Sequence, residues 1–180
     1  MKSIITIIIF VSISTINAQV TQEWAARYSG PGSGYDGAQA LIVDGSGNVF
    51  VTGGSYGSIT LEDYATIKYN SAGAQQWASR YDGPGNHIDR ASSIAVDGSG
   101  NVYVTGFSRS GSTGTEDYAT IKYDSSGVQQ WVSRYNGPGN DNDEASSIAL
   151  DGSGNVYVTG YSLGSGGYYD YATIKYNSSG

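Results

Sequence analysis

The chain repeats itself three times. Tryptophan falls at 24, 77 and 131, spacings of 53 and 54 residues. The string DGSGNV opens at Asp44, Asp97 and Asp151, and the heptapeptide DYATIKY stands unchanged at 63–69, 117–123 and 170–176. Arg-Tyr at 27–28, 80–81 and 134–135 is followed each time by Gly-Pro-Gly, at 30–32, 83–85 and 137–139. A period of this length means that each unit buries its apolar surface against its neighbours. That restricts the chain to propellers, solenoids and related arrays.

Within one period four short strands are expected, at 91–97, 101–106, 118–123 and 129–135. Gly, Ser, Asn or Asp stands at every junction, and no segment carries a helical period. The 27 glycines and 16 tyrosines, against three prolines, suit tight turns between aromatic-rich strands. Sandwiches do not usually repeat their sequence, whereas a propeller blade is a four-stranded sheet repeated about an axis. A blade packs on both faces, and the third strand has the composition for it. Ala119, Ile121 and Tyr123 point one way while Tyr118 and Thr120 point the other. The expected fold is all-β, with propeller-type blades in three ~53-residue repeats forming an open arc, a partial propeller. A solenoid of stacked sheets is the alternative.

The run A-S-S-I-A-V-D-G-S-G-N-V-Y-V-T-G at 91–106, then D-Y-A-T-I-K-Y, then Q-W, resembles the bacterial β-propeller repeat of the SBBP family. The resemblance covers residues 22–180 in three concordant copies. It implies a propeller of secreted or surface proteins, often inside larger multidomain chains, and brings no catalytic motif with it.

The first 18 residues read as a secretory signal. Lys2 is followed by an apolar run from Ile4 to Val11 and a small, polar stretch ending at Ala18. The run is too short to span a bilayer, and no other segment is apolar enough. Residues 19–180 then divide into a leading outer strand at 22–28, blades at 37–82 and 90–136, and an incomplete blade at 144–180. This offset frame suggests a fragment of a longer chain, or three-blade protomers closing a six-bladed ring. In either case the leading strand is placed to complete a blade. The net charge of -7 argues against nucleic acid and anionic membranes. Without cysteine there is neither a disulfide nor a thiolate metal site.

No catalytic residue is expected. Ser55 and Ser162 each sit in a G-x-S-x-G string, but neither precedes a helix, and the one histidine, His87, lies in another repeat. The DGSGN turns at Asp44, Asp97 and Asp151 start like calcium loops. They lack the glycine at position six and the glutamate at position twelve, so a hairpin turn is expected. Asp36, Asp89 and Asp143 precede first strands, and Asp63, Asp117 and Asp170 precede third strands. Alternating strand direction puts all six on one face of the ring. Caps on backbone N–H groups are the first reading for them, and ligand contacts the second. Trp24, Trp77 and Trp131 are expected between blades. Lys68, Lys122 and Lys175, with Arg27, Arg80 and Arg134, are expected to lie over aromatic rings at the rim.

The repeats differ most in the segments 54–62, 107–116 and 161–169. The last of these, with Tyr161, Tyr168 and Tyr169, is the expected contact surface. The function expected is a secreted or cell-surface scaffold binding a protein or a glycan, without catalysis, cofactor or resident metal. A carbohydrate-binding module, or part of a larger propeller enzyme, is the alternative. Further blades, of the same chain or of another protomer, are expected as partners.

Overall fold

The computed structural model describes residues 20–111 and 114–180. The signal expected at 1–18 lies outside the described residues. Strands β1 (Asp36–Val43), β2 (Val49–Tyr56), β3 (Glu62–Tyr69) and β4 (Gln75–Tyr81) form a first antiparallel blade in that order. Strands β5 (Asp89–Val96), β6 (Val102–Arg109), β7 (Glu116–Tyr123) and β8 (Gln129–Tyr135) form a second. The third holds β9 (Asp143–Leu150), β10 (Val156–Leu163) and β11 (Tyr169–Tyr176). There is no helix among the described residues. The fold is an all-β open arc of three blades, a partial propeller.

Turn chemistry sets each hairpin. Gly47, Gly100 and Gly154 take φ of 78°, 80° and 79°, which an L side chain would resist. The second strands run longer than the sequence suggested. Gly106, expected to end one, lies inside β6, opposite a bulge between Ala91 and Ser93 in β5. A Cβ there would collide with the carbonyl of Arg90, so this glycine makes room for the bulge and does not stop the strand. The same applies at Gly53 and Gly160. As a result β6 runs on to Arg109, and the loops after β2 and β10 shrink to 57–61 and 164–168.

Blades stack through the first strand of the next blade. β5 packs on β1, β2 and β3, and β9 packs on β5, β6 and β7. One core joins Phe50 and Tyr64 of the first blade to Ala91, Ile94, Val104 and Ile121 of the second. Another joins Tyr103 and Tyr118 to Ala145, Ile148, Val156 and Val158. Tyr64 and Tyr118 reach across to donate to the carbonyls of Ala119 and Ala172, at 3.1 and 3.3 Å. The tryptophans bind blades too, although they are only half-buried. Trp77 stacks on Tyr123, covers Gly127 and donates to the Ser125 carbonyl at 3.1 Å. Trp131 packs on Tyr176 and covers Gly180 in the same way, without the indole hydrogen bond.

The repeated heptapeptide provides an internal control. DYATIKY is buried almost throughout in β3 and β7 and mostly exposed in β11. Tyr64 and Tyr118 are 0% exposed, whereas Tyr171, their equivalent, is 97% exposed. The opposite end mirrors this, with Leu41 64% exposed where Ile94 and Ile148 are 8%. The third blade has a bare trailing face, whereas on the leading face of the first only the β1 side, Leu41 and Val43, is bare and Ala65, Ile67 and Tyr69 are buried with Tyr28 packed on them.

Residues 22–28, expected as a strand, pair with no sheet. Trp24 nevertheless lies 6.4 Å from Tyr69 and covers Gly73, the place Trp77 takes on the second blade. The segment sits where the fourth strand of a preceding blade would lie. Its hydrogen-bond partner would be that blade's third strand, which the described residues do not supply.

The same substitution in identical heptapeptides should therefore give unequal costs. Tyr118→Ala is expected to destabilise by about 4 kcal/mol and Tyr171→Ala by less than about 1 kcal/mol, measured by chemical denaturation. Equal losses would mean that the trailing face is covered.

Candidate functional site

The loop face gathers the conserved-in-copy aspartates into a chain of internal contacts. Arg80, near the end of β4, donates from Nη2 to Asp63 Oδ2 at 2.8 Å and to the Ser55 carbonyl at 2.6 Å. Its Nη1 donates to Ser55 Oγ at 2.6 Å. Arg134 repeats this with Asp117, at 2.9 Å, and with Ser108. The arginines are thus pairs for buried carboxylates and not covers for aromatic rings, as the sequence reading had them. Pairing offsets the cost of taking Asp63 and Asp117 out of water. The lysines do cover rings. Lys68, Lys122 and Lys175 place Nζ 5.1, 5.2 and 5.2 Å from the centres of Phe50, Tyr103 and Tyr157.

Asp89 and Asp143 are fully buried and fasten the Gly-Pro-Gly loops to the following blade. Asp89 accepts from the Gly83 N–H at 2.6 Å and the Arg109 N–H at 3.2 Å. Asp143 accepts from Gly137 at 2.6 Å and Leu163 at 3.1 Å. Asp170, on the bare blade, is exposed. In the turns, Asp97 accepts N–H groups from Ser99 and Asn101 and the Asn101 side-chain amide. Asp44 and Asp151 do likewise. Ser55 and Ser162 are buried within strands β2 and β10.

Carboxylates converge where the first two blades meet. Asp63, Asp82 and Asp89 bring one oxygen each within 4.8 Å of the others, the one such group of three among the described residues. Burial, and then the charge of Asp63, hold the Asp82 carboxyl above its ordinary range. Burial does the same to Asp89, against its N–H bonds. Asp82 was not singled out from sequence. The available signal was its difference from Ser29 and Asn136, which stand at the same place before the other Gly-Pro-Gly strings.

The three tyrosines separate. Tyr161 and Tyr169 lie on paired strands β10 and β11, edge to face at 5.1 Å, and Tyr161 donates to Glu144 Oε2 at 2.5 Å. Tyr168 alone is in the loop and is 80% exposed. At the other end a cleft of about 430 Å³ separates residues 24–28 from the first blade, lined by Trp24, Tyr28, Leu41, Val51 and Ile67.

Residues 76–110 and 130–168 match the sequence profile of the β-propeller repeat SBBP. Both segments are similar to the SBBP β-propeller repeat. Each matched SBBP segment begins in a fourth strand and runs through the first two strands of the next blade, so the repeat unit spans the junction that Trp77 or Trp131 seals. No curated protein matches the chain.

The turn carboxylates give the fold an acid limit. Asn155, and then its own backbone N–H, pull Asp151 down from 3.8 to about 2. A carboxyl held below its unfolded value contributes stability that is complete above about pH 4 and lost as the pH falls toward 2. Melting temperature is expected to drop across that window, and less steeply in Asp151→Asn. A parallel drop in both proteins would remove Asp151 from the account.

Proposed function

We propose that this chain is an exported, non-catalytic scaffold whose interaction surfaces are the bare trailing face of the third blade and the exposed β1 side of the first, and that what they seat is a further blade. The observation that carries this is the DYATIKY sequence, buried in two blades and exposed in the third. Tyr171 repeats the position from which Tyr64 and Tyr118 bind a following blade, so the surface it fits has a first strand like β5 or β9. The 430 Å³ cleft beside Leu41 lies on the matching leading face. Contiguous apolar surface of this kind marks an interface. Export rests on the Lys2, Ile4–Val11 and Ala18 pattern, and the absence of catalysis on the lack of any assembled nucleophile and base in the sequence. A second copy of the chain offers both complementary faces, since the trailing face of one meets the leading face of the other.

The second reading, a carbohydrate module, is favoured by Tyr168, an exposed aromatic ring in a loop that does not repeat.

Sedimentation at micromolar concentration is expected to show association, which Leu41→Asp and Tyr171→Asp each weaken at least tenfold. A monodisperse monomer that does not associate at any attainable concentration would overturn the blade-seating reading. Glycan-array binding lost in Tyr168→Ala but kept in Leu41→Asp would establish the second.

A further inference from the structure

We propose that copies of this chain join by strand addition. Residues 22–28 of one copy become the fourth strand on β11 of a second copy, whose Tyr171 enters the cleft beside Gly53 of the first. This rests on the reading that the exposed faces seat a further blade, and it names the blade and the residues that hold it.

The cleft repeats a site that a tyrosine fills at both complete junctions. Tyr64 donates to the Ala119 carbonyl and Tyr118 to that of Ala172, and each carbonyl also accepts a threonine hydroxyl, from Thr105 or Thr159. A glycine makes the room. A Cβ on Gly106 would stand 2.9 Å from the Tyr64 hydroxyl, and one on Gly160 2.8 Å from that of Tyr118. The first blade has the same acceptor and the same glycine. Ala65 accepts from Thr52 at 3.2 Å and from no tyrosine among the described residues, while Gly53 and Ala65 both line the 430 Å³ cleft. Tyr171, 97% exposed on the third blade, is the matching donor.

The polar half of the contact is independent of this. Arg80 and Arg134 each bind the aspartate that opens DYATIKY and the hydroxyl of a buried serine, Ser55 or Ser108. In the third blade Asp170 is exposed, and the hydroxyl of Ser162, a residue only 3% exposed, has no partner. Such a group calls for a donor. Arg27 follows Trp24 as Arg80 follows Trp77, is exposed, and belongs to no ion pair among the described residues. The register of β7 with β8 sets Tyr28 opposite Tyr171, Arg27 opposite Ala172 and Ala26 opposite Thr173. Antiparallel addition satisfies the free backbone groups of β11 and of 22–28 together. Because 22–28 already lies over Tyr69 and Gly73 of its own first blade, the added blade comes down on Leu41 and Val43.

The chain has no cysteine, so single cysteines report the pairing. Ala26→Cys and Thr173→Cys proteins, mixed and oxidised, are expected to give a disulfide-linked dimer. Ala26→Cys mixed with Ile174→Cys, whose side chain points to the other face, should give at least tenfold less. In sedimentation, Arg27→Asp and Asp170→Arg should each weaken association at least tenfold, and the double variant should recover most of the loss. Association unchanged in Arg27→Asp, or a cross-link indifferent to register, overturns strand addition and leaves the blade-seating reading standing. A chain that never associates overturns both.

Discussion

A four-stranded sheet that is apolar on both faces cannot be stable alone. Every blade needs a neighbour on each side, and this requirement governs the rest of the molecule. The third strand shows it most directly. In β7, Tyr118, Ala119, Thr120 and Ile121 are all excluded from water, although alternate residues point to opposite faces. A period-two pattern is no guide to exposure in such a strand: A-T-I-K-Y within DYATIKY alternates apolar and polar residues, yet Thr120 is as buried as Ile121. Polar members are accommodated by pairing across strands, as Thr105 does with Thr120 at 3.1 Å. Both faces of the strand are buried, and the repeat makes that burial possible.

Much of this was legible in the sequence. Three identical heptapeptides and three DGSGN turns were enough to define the blade, its strand order and its all-β class. The turn could be read because it is local: Asp97, Gly100 and Asn101 lie within five residues, and their bonding depends on nothing beyond them. What was misjudged depends on contacts between strands. Gly106 looked like a strand end because glycine is a poor strand residue. Only the bulge opposite, in β5, explains why no side chain fits there. Arg80 and Arg134 looked like rim residues because the sequence shows their spacing from lysines and not their distance from Asp63 and Asp117. In the structure the arginine faces inward at the loop end of its strand, while lysine faces the ring of a second-strand aromatic.

Tyr161, Tyr168 and Tyr169 illustrate the same limit. They are adjacent in composition, but pairing of Tyr161 with Tyr171, and of Leu163 with Tyr169, draws two of them into the sheet. Tyr169 stands where the other copies have Glu62 and Glu116, so its exposure belongs to the bare face and not to a specialised loop. A sequence reading that treats unlike residues as the seat of specificity works only when those residues lie outside the repeated framework. Here most of them lie inside it.

The unlike residues that remain fall at the junctions, and there they differ in kind. Between the first two blades Glu62 pairs with Arg90. Between the second and third, the corresponding residues are Glu116 and Glu144, two like charges. Glu144 instead accepts the Tyr161 hydroxyl, and the Glu116 N–H donates to the Asn142 side chain at 3.1 Å. Exchanging the second blade for the third would set Glu144 against Glu62 and leave Arg90 facing Tyr169. Near-identical blades need such differences, because interchangeable repeats can dock in the wrong order. The framework residues therefore make a blade, and the junction residues decide which blade follows which. Asp82 belongs to this second class, which is why the position varies among Ser29, Asp82 and Asn136 while the aspartates beside it do not.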